Sequence, residues 1–508
     1  MNASLGLTWF ARHELTLAWR DWAQMMAGGR TTRERAVTVI ALIFVLLLHL
    51  LAYTIVAPLV ARGITPDKET LVVLTASLLL TFSMILSQSI EQVTRAFYAR
   101  ADLDLILSSP APAQHLFAVR ITSVALAGTL MSGLLAAPFI NIAAVLDGPR
   151  WLAAYGLIAA MSAVATGLSV VAAVWMFRII GPKRTRVIAQ IVAAVTGAAL
   201  LIGIQAVAVM SYGNLSRFQV LRSDAVINRA PGPESLVWLP AKALLGNAPS
   251  AIFLVTLAAL FLAGVIRLYS SRFGDHAIAA AGISDTTVSH SKIHRPFRAR
   301  STLQALRVKE WNLLRRDPWL MSQTLMQVLY LIPPALLLWR DMGAGSQVHT
   351  ILAPVLVMAF GQLAGGLAWL AISGEDAPDL VATAPVTPEV LRRAKNQAVV
   401  AVIAVGACPF LLALAIVSPW GAAVTAAAIV LSSGSAIMIQ LWFRMTARRS
   451  QFRRRQTASR AATFAEAFSS ISWAGAAGLA AAGSWFAVAF VVMALIALSI
   501  AWAIRPRP

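Results

Sequence analysis

The chain is 508 residues long, 59% hydrophobic and only 12% charged, where an ordinary soluble protein carries roughly 25% charged residues; this excludes a soluble globular protein. The formal net charge of +21 lies between apolar runs with no base-reading module beside it, which excludes a nucleic-acid partner and leaves orientation signals that face anionic lipid. One cysteine, Cys408, excludes an intrachain disulfide and a cysteine-rich metal site; inside an apolar run it reads as a small core residue.

Residues 1–35 read as an amphipathic interfacial segment. Leu15, Trp19, Trp22 and Met26 fall on one helical face, and Arg12, Glu14, Arg20 and Asp21 are their polar partners. The first half, 36–270, carries six apolar spans at about 36–60, 71–90, 121–146, 151–177, 187–212 and 251–270. Each can cross about 30 Å of hydrocarbon as a helix, whereas a β-barrel would show alternating segments of about ten residues. The first span starts near Ala36, too far in and too long for a cleaved leader. A basic, aperiodic tract at 271–300 reads as a cytoplasmic linker. The second half, 301–508, opens with its own amphipathic helix and adds spans at about 319–338, 351–372, 397–417, 421–443, 462–483 and 485–504. The expected fold is an all-α polytopic membrane protein of about twelve transmembrane helices. With both termini in the cytoplasm, 34 of the 42 Lys and Arg residues fall on the inside and 8 outside, the bias that fixes orientation.

An internal repeat runs through the chain. Asp104–Arg120, DLILSSPAPAQHLFAVR, matches Asp379–Lys395, DLVATAPVTPEVLRRAK, with Pro110, Leu116 and Arg120 against Pro385, Leu391 and Lys395 at a shift of 275. Pro58 and Pro333 keep that shift, while Glu14, Arg20 and Asp21 match Glu310, Arg316 and Asp317 at 296, leaving a 21-residue insertion in the first half. Six spans per half make the repeats parallel. The external loops differ: about 38 residues, including PESLVWLPAKALLGN, join the fifth and sixth spans, and almost none join the last two. The apolar part of that loop suits either a re-entrant or interfacial helix or an extracellular flap.

Catalytic signals are sparse. No G-x-x-x-x-G-K-[ST] occurs, so the chain carries no Walker-type nucleotide site. Leu431-Ser-Ser-Gly434 sits inside a span and reads as core; His13-Glu14 begins like a zinc-protease motif but Leu17 ends it, and no His–carboxylate cluster has ligand spacing. Inside the spans, His49 reads as a hydrogen-bonded core residue or a path residue, and Glu466 as an interface residue. Gln205, Gln327, Gln362 and Gln440 suit a substrate path or interhelix glue, and Gly361 and Gly365 form a close-packing G-x-x-x-G. The two repeated stretches carry acids on a basic inner surface: Asp102 and Asp104 in one, Glu375, Asp376 and Asp379 in the other. They are candidate docking elements, each broken by a proline, Pro110 or Pro385.

With these features the chain resembles the membrane subunits of type-2 ABC exporters, as two fused half-permeases. The matching residues are the leading helix at Glu14, Arg20 and Asp21, RADLDLILSSPAPAQHLF (Arg100–Phe117), WLPAKALLGN (Trp238–Asn247) and GEDAPDLVATAPVTPEVL (Gly374–Leu391). The resemblance implies connecting helices at Glu14, Arg20, Asp21, Glu310, Arg316 and Asp317, and coupling helices at the two docking stretches. It also implies a separate ABC ATPase subunit in two copies, which would hold the ATP and Mg; this chain would need no cofactor and would itself be no enzyme. The implied location is a bacterial inner membrane. A twelve-span secondary transporter and a membrane enzyme acting on lipid-linked substrates are the alternatives.

Overall fold

The lipid interior offers no water to backbone N–H and C=O groups, so a spanning segment must close its own hydrogen bonds as a helix. The computed structural model follows that rule: among the described residues there are helices and turns and no strand. It describes residues 34–63, 65–98, 113–213, 216–272, 301–316, 329–340, 348–372, 383–443 and 460–505, with Arg12, Thr16 and Leu325 singly. The rest of the interfacial segment 1–35, most of the linker 271–300 and much of the first part of the span expected at 319–338 lie outside them. The chain divides into two compact units, one of Met1–Ile204 with Ser216–Ser289, the other of Gln205–Leu215 with His290–Pro508.

The long helices of the first part are α1 (Glu34–Ala61), α2 (Lys68–Tyr98), α3 (Ala113–Asp147), α4 (Ala153–Ile180), α5 (Pro182–Tyr212) and α6 (Ala248–Tyr269). In the first unit α4 is central, packing on α2, α3 and α6, while α1 packs on α3. Its sequence explains this: Ala160, Ser162, Ala165, Gly167, Ser169 and Ala173 are all buried, and small side chains let membrane helices approach closely. A Cβ on Gly167 would meet the Phe261 ring of α6 at 2.5 Å.

The loop after α5 folds as short helical turns, Arg217–Leu221, Asp224–Arg229, Leu236–Trp238 and Leu239–Leu244, none longer than 6 residues. Trp238 and Ala241 are buried against Leu71 and Val72 in the first turns of α2. The Trp238 indole N–H donates to the Gly232 carbonyl at 2.9 Å, and Arg222 pairs with Glu69 at 2.9 Å. Neither open flap nor long helix, the loop is a packed cap on α2.

The second part continues with α7 (Thr302–Arg316), α8 (Ile332–Arg340), α9 (Val348–Ile372), α10 (Pro388–Val417), α11 (Pro419–Trp442), α12 (Arg460–Ala481) and α13 (Ala487–Ile504). Here α9 is the hub, packing on α10, α11 and α12, with α7 laid on α10 and α13 on α12. Leu352, Leu356, Leu367 and Leu370 of α9 and Leu414 of α10 are fully buried.

Eight described helices are long and apolar enough to cross a membrane, with shorter apolar helices at Val45–Ala61 and Ala487–Ala503. The side-chain distribution agrees. On α12, Phe464, Phe468 and Ile471 face outward while Glu466, Ser469, Ser470 and Ser472 are buried, the reverse of a helix on a water-soluble protein. An exposed apolar surface of this kind needs lipid to cover it. One residue departs from expectation: Cys408 is exposed, not core, because the outward face of a membrane helix is as apolar as its inward face.

Candidate functional site

The two candidate docking stretches are each followed by the same local device. Among the described residues α3 runs from Ala113 and α10 from Pro388. Pro388 at the first helical position costs no hydrogen bond there. In each helix the eighth residue is a buried base: Arg120 is 3% exposed and Lys395 4%. Arg120 Nη1 donates to the Ala96 carbonyl at 3.4 Å, and Lys395 Nζ donates to the Ala371 carbonyl. Both bonds span 24 residues.

Ala96 and Ala371 lie in the last turns of α2 and α9, where carbonyls lack intrahelical partners and the negative end of the helix dipole gathers. A cation is the favoured partner at such an end. Each base therefore ties the start of one helix to the end of the one before. A related contact in the second unit joins two helix ends: Arg340, in the last turn of α8, donates to the Val209 carbonyl near the end of α5.

Within the stretches, Pro385 is exposed in the turn that precedes α10. Asp102, Asp104, Pro110, Glu375, Asp376 and Asp379 lie outside the described residues, as do Glu14, Arg20, Asp21, Asp317 and Gln327. Arg316 ends α7. Glu310 of α7 is fully buried. Its Oε1 lies 3.3 Å from Lys309 Nζ, an ion-pair contact without the alignment of a hydrogen bond. A carboxylate withdrawn from water gains little from one partly exposed base, so Glu310 is a costly group held by packing.

The substrate-path candidates separate. His49 is half-buried and joins three helices of the first unit: Nδ1 lies 2.8 Å from the Val45 carbonyl and Nε2 3.4 Å from Asn141 Nδ2. Asn141 Oδ1 accepts from the Tyr155 hydroxyl at 2.9 Å. These partners fit one tautomer, with the proton on Nδ1. Gln205 is half-buried on α5, and Gln362 is exposed on α9.

A further polar seam, between α9, α11 and α12, was not expected. Glu466, read from sequence as an interface residue, is 6% exposed and accepts from Gln440 Nε2 at 2.9 Å. The Trp473 indole donates to Ser435 Oγ at 3.0 Å. The hydroxyls of Ser432, Ser433 and Ser469 are buried without a hydrogen-bond partner. Gly361 and Gly365 make room for the seam: a Cβ on Gly361 would meet Ser432 Oγ at 2.2 Å. The signal was available in the sequence, since Glu466, Ser469, Ser470 and Trp473 recur at helical spacing opposite Phe464, Phe468 and Ile471. Chemically, the seam sets a carboxylate, an amide and hydroxyls among otherwise apolar packed helices.

Among the described residues no three His, Cys, Asp or Glu side chains converge as a metal site. Compared with known proteins, the chain matches no family model, no curated protein and no solved structure.

Proposed function

We propose that this chain is the membrane subunit of an ATP-driven exporter of the type-2 ABC kind: two parallel six-helix halves in one polypeptide, both termini cytoplasmic, in a bacterial inner membrane. The observation that carries the reading is the pair of matched ties, Arg120 to Ala96 and Lys395 to Ala371, at one spacing in the two units. Each lies beside a proline-broken, acid-bearing stretch of sequence of the kind that a separate ATPase would grip, at Asp102, Asp104 and Pro110 or at Glu375, Asp376, Asp379 and Pro385. Motion of an ATPase pressed on such a loop passes into the two helices that the base ties together. The chain itself performs no catalysis in this scheme; ATP and Mg belong to two copies of the partner.

The test is purification of the chain from its native membranes followed by an ATP hydrolysis assay. An ATPase should accompany the unaltered chain and be released when Asp104→Arg and Asp379→Arg are combined. Absence of any co-purifying ATPase from the unaltered chain overturns the reading.

A second reading, an ion-coupled transporter, is favoured by the buried Glu466, since coupling ions need ionisable groups at membrane depth. It predicts transport that collapses with an uncoupler while ATP is clamped, and that is lost in Glu466→Gln.

A further inference from the structure

Between α7 and α10 lies an open groove of about 420 Å³, lined by Arg307, Val308, Trp311, Gln397, Ala398 and Ala401. Its chemistry is divided. Arg307 Nε donates to Gln397 Oε1 at 2.6 Å, which fixes the guanidinium at the rim and leaves its two terminal nitrogens without a partner among the described residues. Arg393, exposed, stands one helical turn before Gln397 on the same stripe of α10. On the segments of α7 and α10 that flank the groove the described charges are five bases, Arg307, Lys309, Arg392, Arg393 and Lys395, against two acids, Glu310 and Glu389. Glu310 is fully buried beneath α7 beside Lys309, and Lys395 is turned to the Ala371 carbonyl.

Beyond the rim the lining is apolar, and it does not stop at the groove. Ala401 continues along α10 into Val405, Leu412 and Ile416, whose side chains are 71%, 64% and 74% exposed. From Ala401 to Ile416 this stripe runs about 22 Å at the helical rise, longer than one leaflet at half of about 30 Å. Trp311, 44% exposed on α7, is a side chain suited to the boundary between headgroup and hydrocarbon.

We propose that this groove binds one anionic phospholipid of the inner leaflet, its phosphate held by Arg307 and Arg393 and an acyl chain laid along Ala401, Val405 and Leu412. Paired guanidinium groups match a phosphate in shape and charge. Basic pockets between helices at the cytoplasmic side hold anionic headgroups by the same physics. A water-soluble anion would use the rim and ignore the stripe; an apolar peptide would use the stripe and ignore the rim. The choice of leaflet rests on the orientation proposed above, but the lipid site itself needs no ATPase and is tested without one.

The experiment is native mass spectrometry of the full purified chain, titrated with phosphatidylglycerol or with phosphatidylcholine. One phosphatidylglycerol should stay bound where phosphatidylcholine does not. Arg307→Ala with Arg393→Ala should weaken it on the order of tenfold, while Arg307→Lys with Arg393→Lys recovers part of the loss. Ala401→Phe, with both arginines intact, should block the lipid by filling the groove. Each variant is first shown monodisperse with an unchanged thermal midpoint in lipid-free detergent. Equal retention of the two lipids, full retention by the double alanine variant, or competition by inorganic phosphate at the lipid's own concentration overturns the proposal.

Discussion

A methyl group placed on the Cα of Gly365 would stand 1.4 Å from Oε1 of Glu466, so the glycine of α9 and the carboxylate of α12 share one contact surface. Gly365→Ala must push the carboxylate away from Gln440 or part the helices. We expect a loss of about 1–3 kcal/mol, read as a lower thermal midpoint in detergent. Combined with Glu466→Ala, the same substitution should cost less than the sum of the two single changes, because the colliding group is gone. Strictly additive losses would contradict the contact.

Lys395→Met keeps most of the side-chain volume but removes the donor to the Ala371 carbonyl. Leaving that acceptor unpaired should cost about 1–3 kcal/mol, and Arg120→Met should act in the same direction on Ala96. An unchanged unfolding midpoint in both variants would mean that the ties contribute nothing to stability.

Asp67 caps α2, its Oδ1 accepting from the Thr70 N–H at 2.8 Å. Hydrogen bonding from Thr70, side chain first and backbone second, holds its carboxyl below the usual carboxylate range. Folding therefore favours the charged form. The associated stability is complete above the unfolded value of about 3.9 and is lost as pH falls through that value towards the lower, folded one. Asp67→Asn should retain the cap and flatten this acid dependence, whereas Asp67→Ala should cost about 1 kcal/mol at neutral pH. Acid unfolding curves of the three proteins separate these outcomes.

Cys408 is the chain's one thiol and lies on an exposed face, so Cys408→Ala should be nearly silent in stability, within about 0.5 kcal/mol. On that background a membrane-impermeant maleimide should label Arg222→Cys in intact cells and Arg448→Cys only after permeabilisation. Labelling of both from the same side would break the parallel twelve-span arrangement.

The helices themselves were legible because long apolar runs with polar ends have no other stable form in lipid. The sequence marked Arg120 and Lys395 as matched bases; their bonds to the Ala96 and Ala371 carbonyls are what the structure adds. What hydropathy could not supply was facing. Cys408 and Leu414 lie in the same apolar run of α10, yet one is exposed and the other fully buried, since lipid and core reward the same atoms. Glu466 was misplaced for a related reason: nearness to a helix end says little about depth when Gly361 and Gly365 open a space for polar atoms. His49 needed Asn141 and Tyr155, both more than ninety residues away, and no local pattern announces partners at that distance.

The inward serines of α12 bear on how the chain is made. That helix is not among those apolar enough to cross on composition alone, so as a nascent segment it has weak reason to leave the translocon for lipid. Its hydroxyls and Glu466 become acceptable only against α9 and α11, which are synthesised earlier. The ribosome thus delivers the receptacle before the helix that needs it, and α12 expressed alone between neutral flanks should enter microsomal membranes poorly, while the stretch from α9 onward should carry it in.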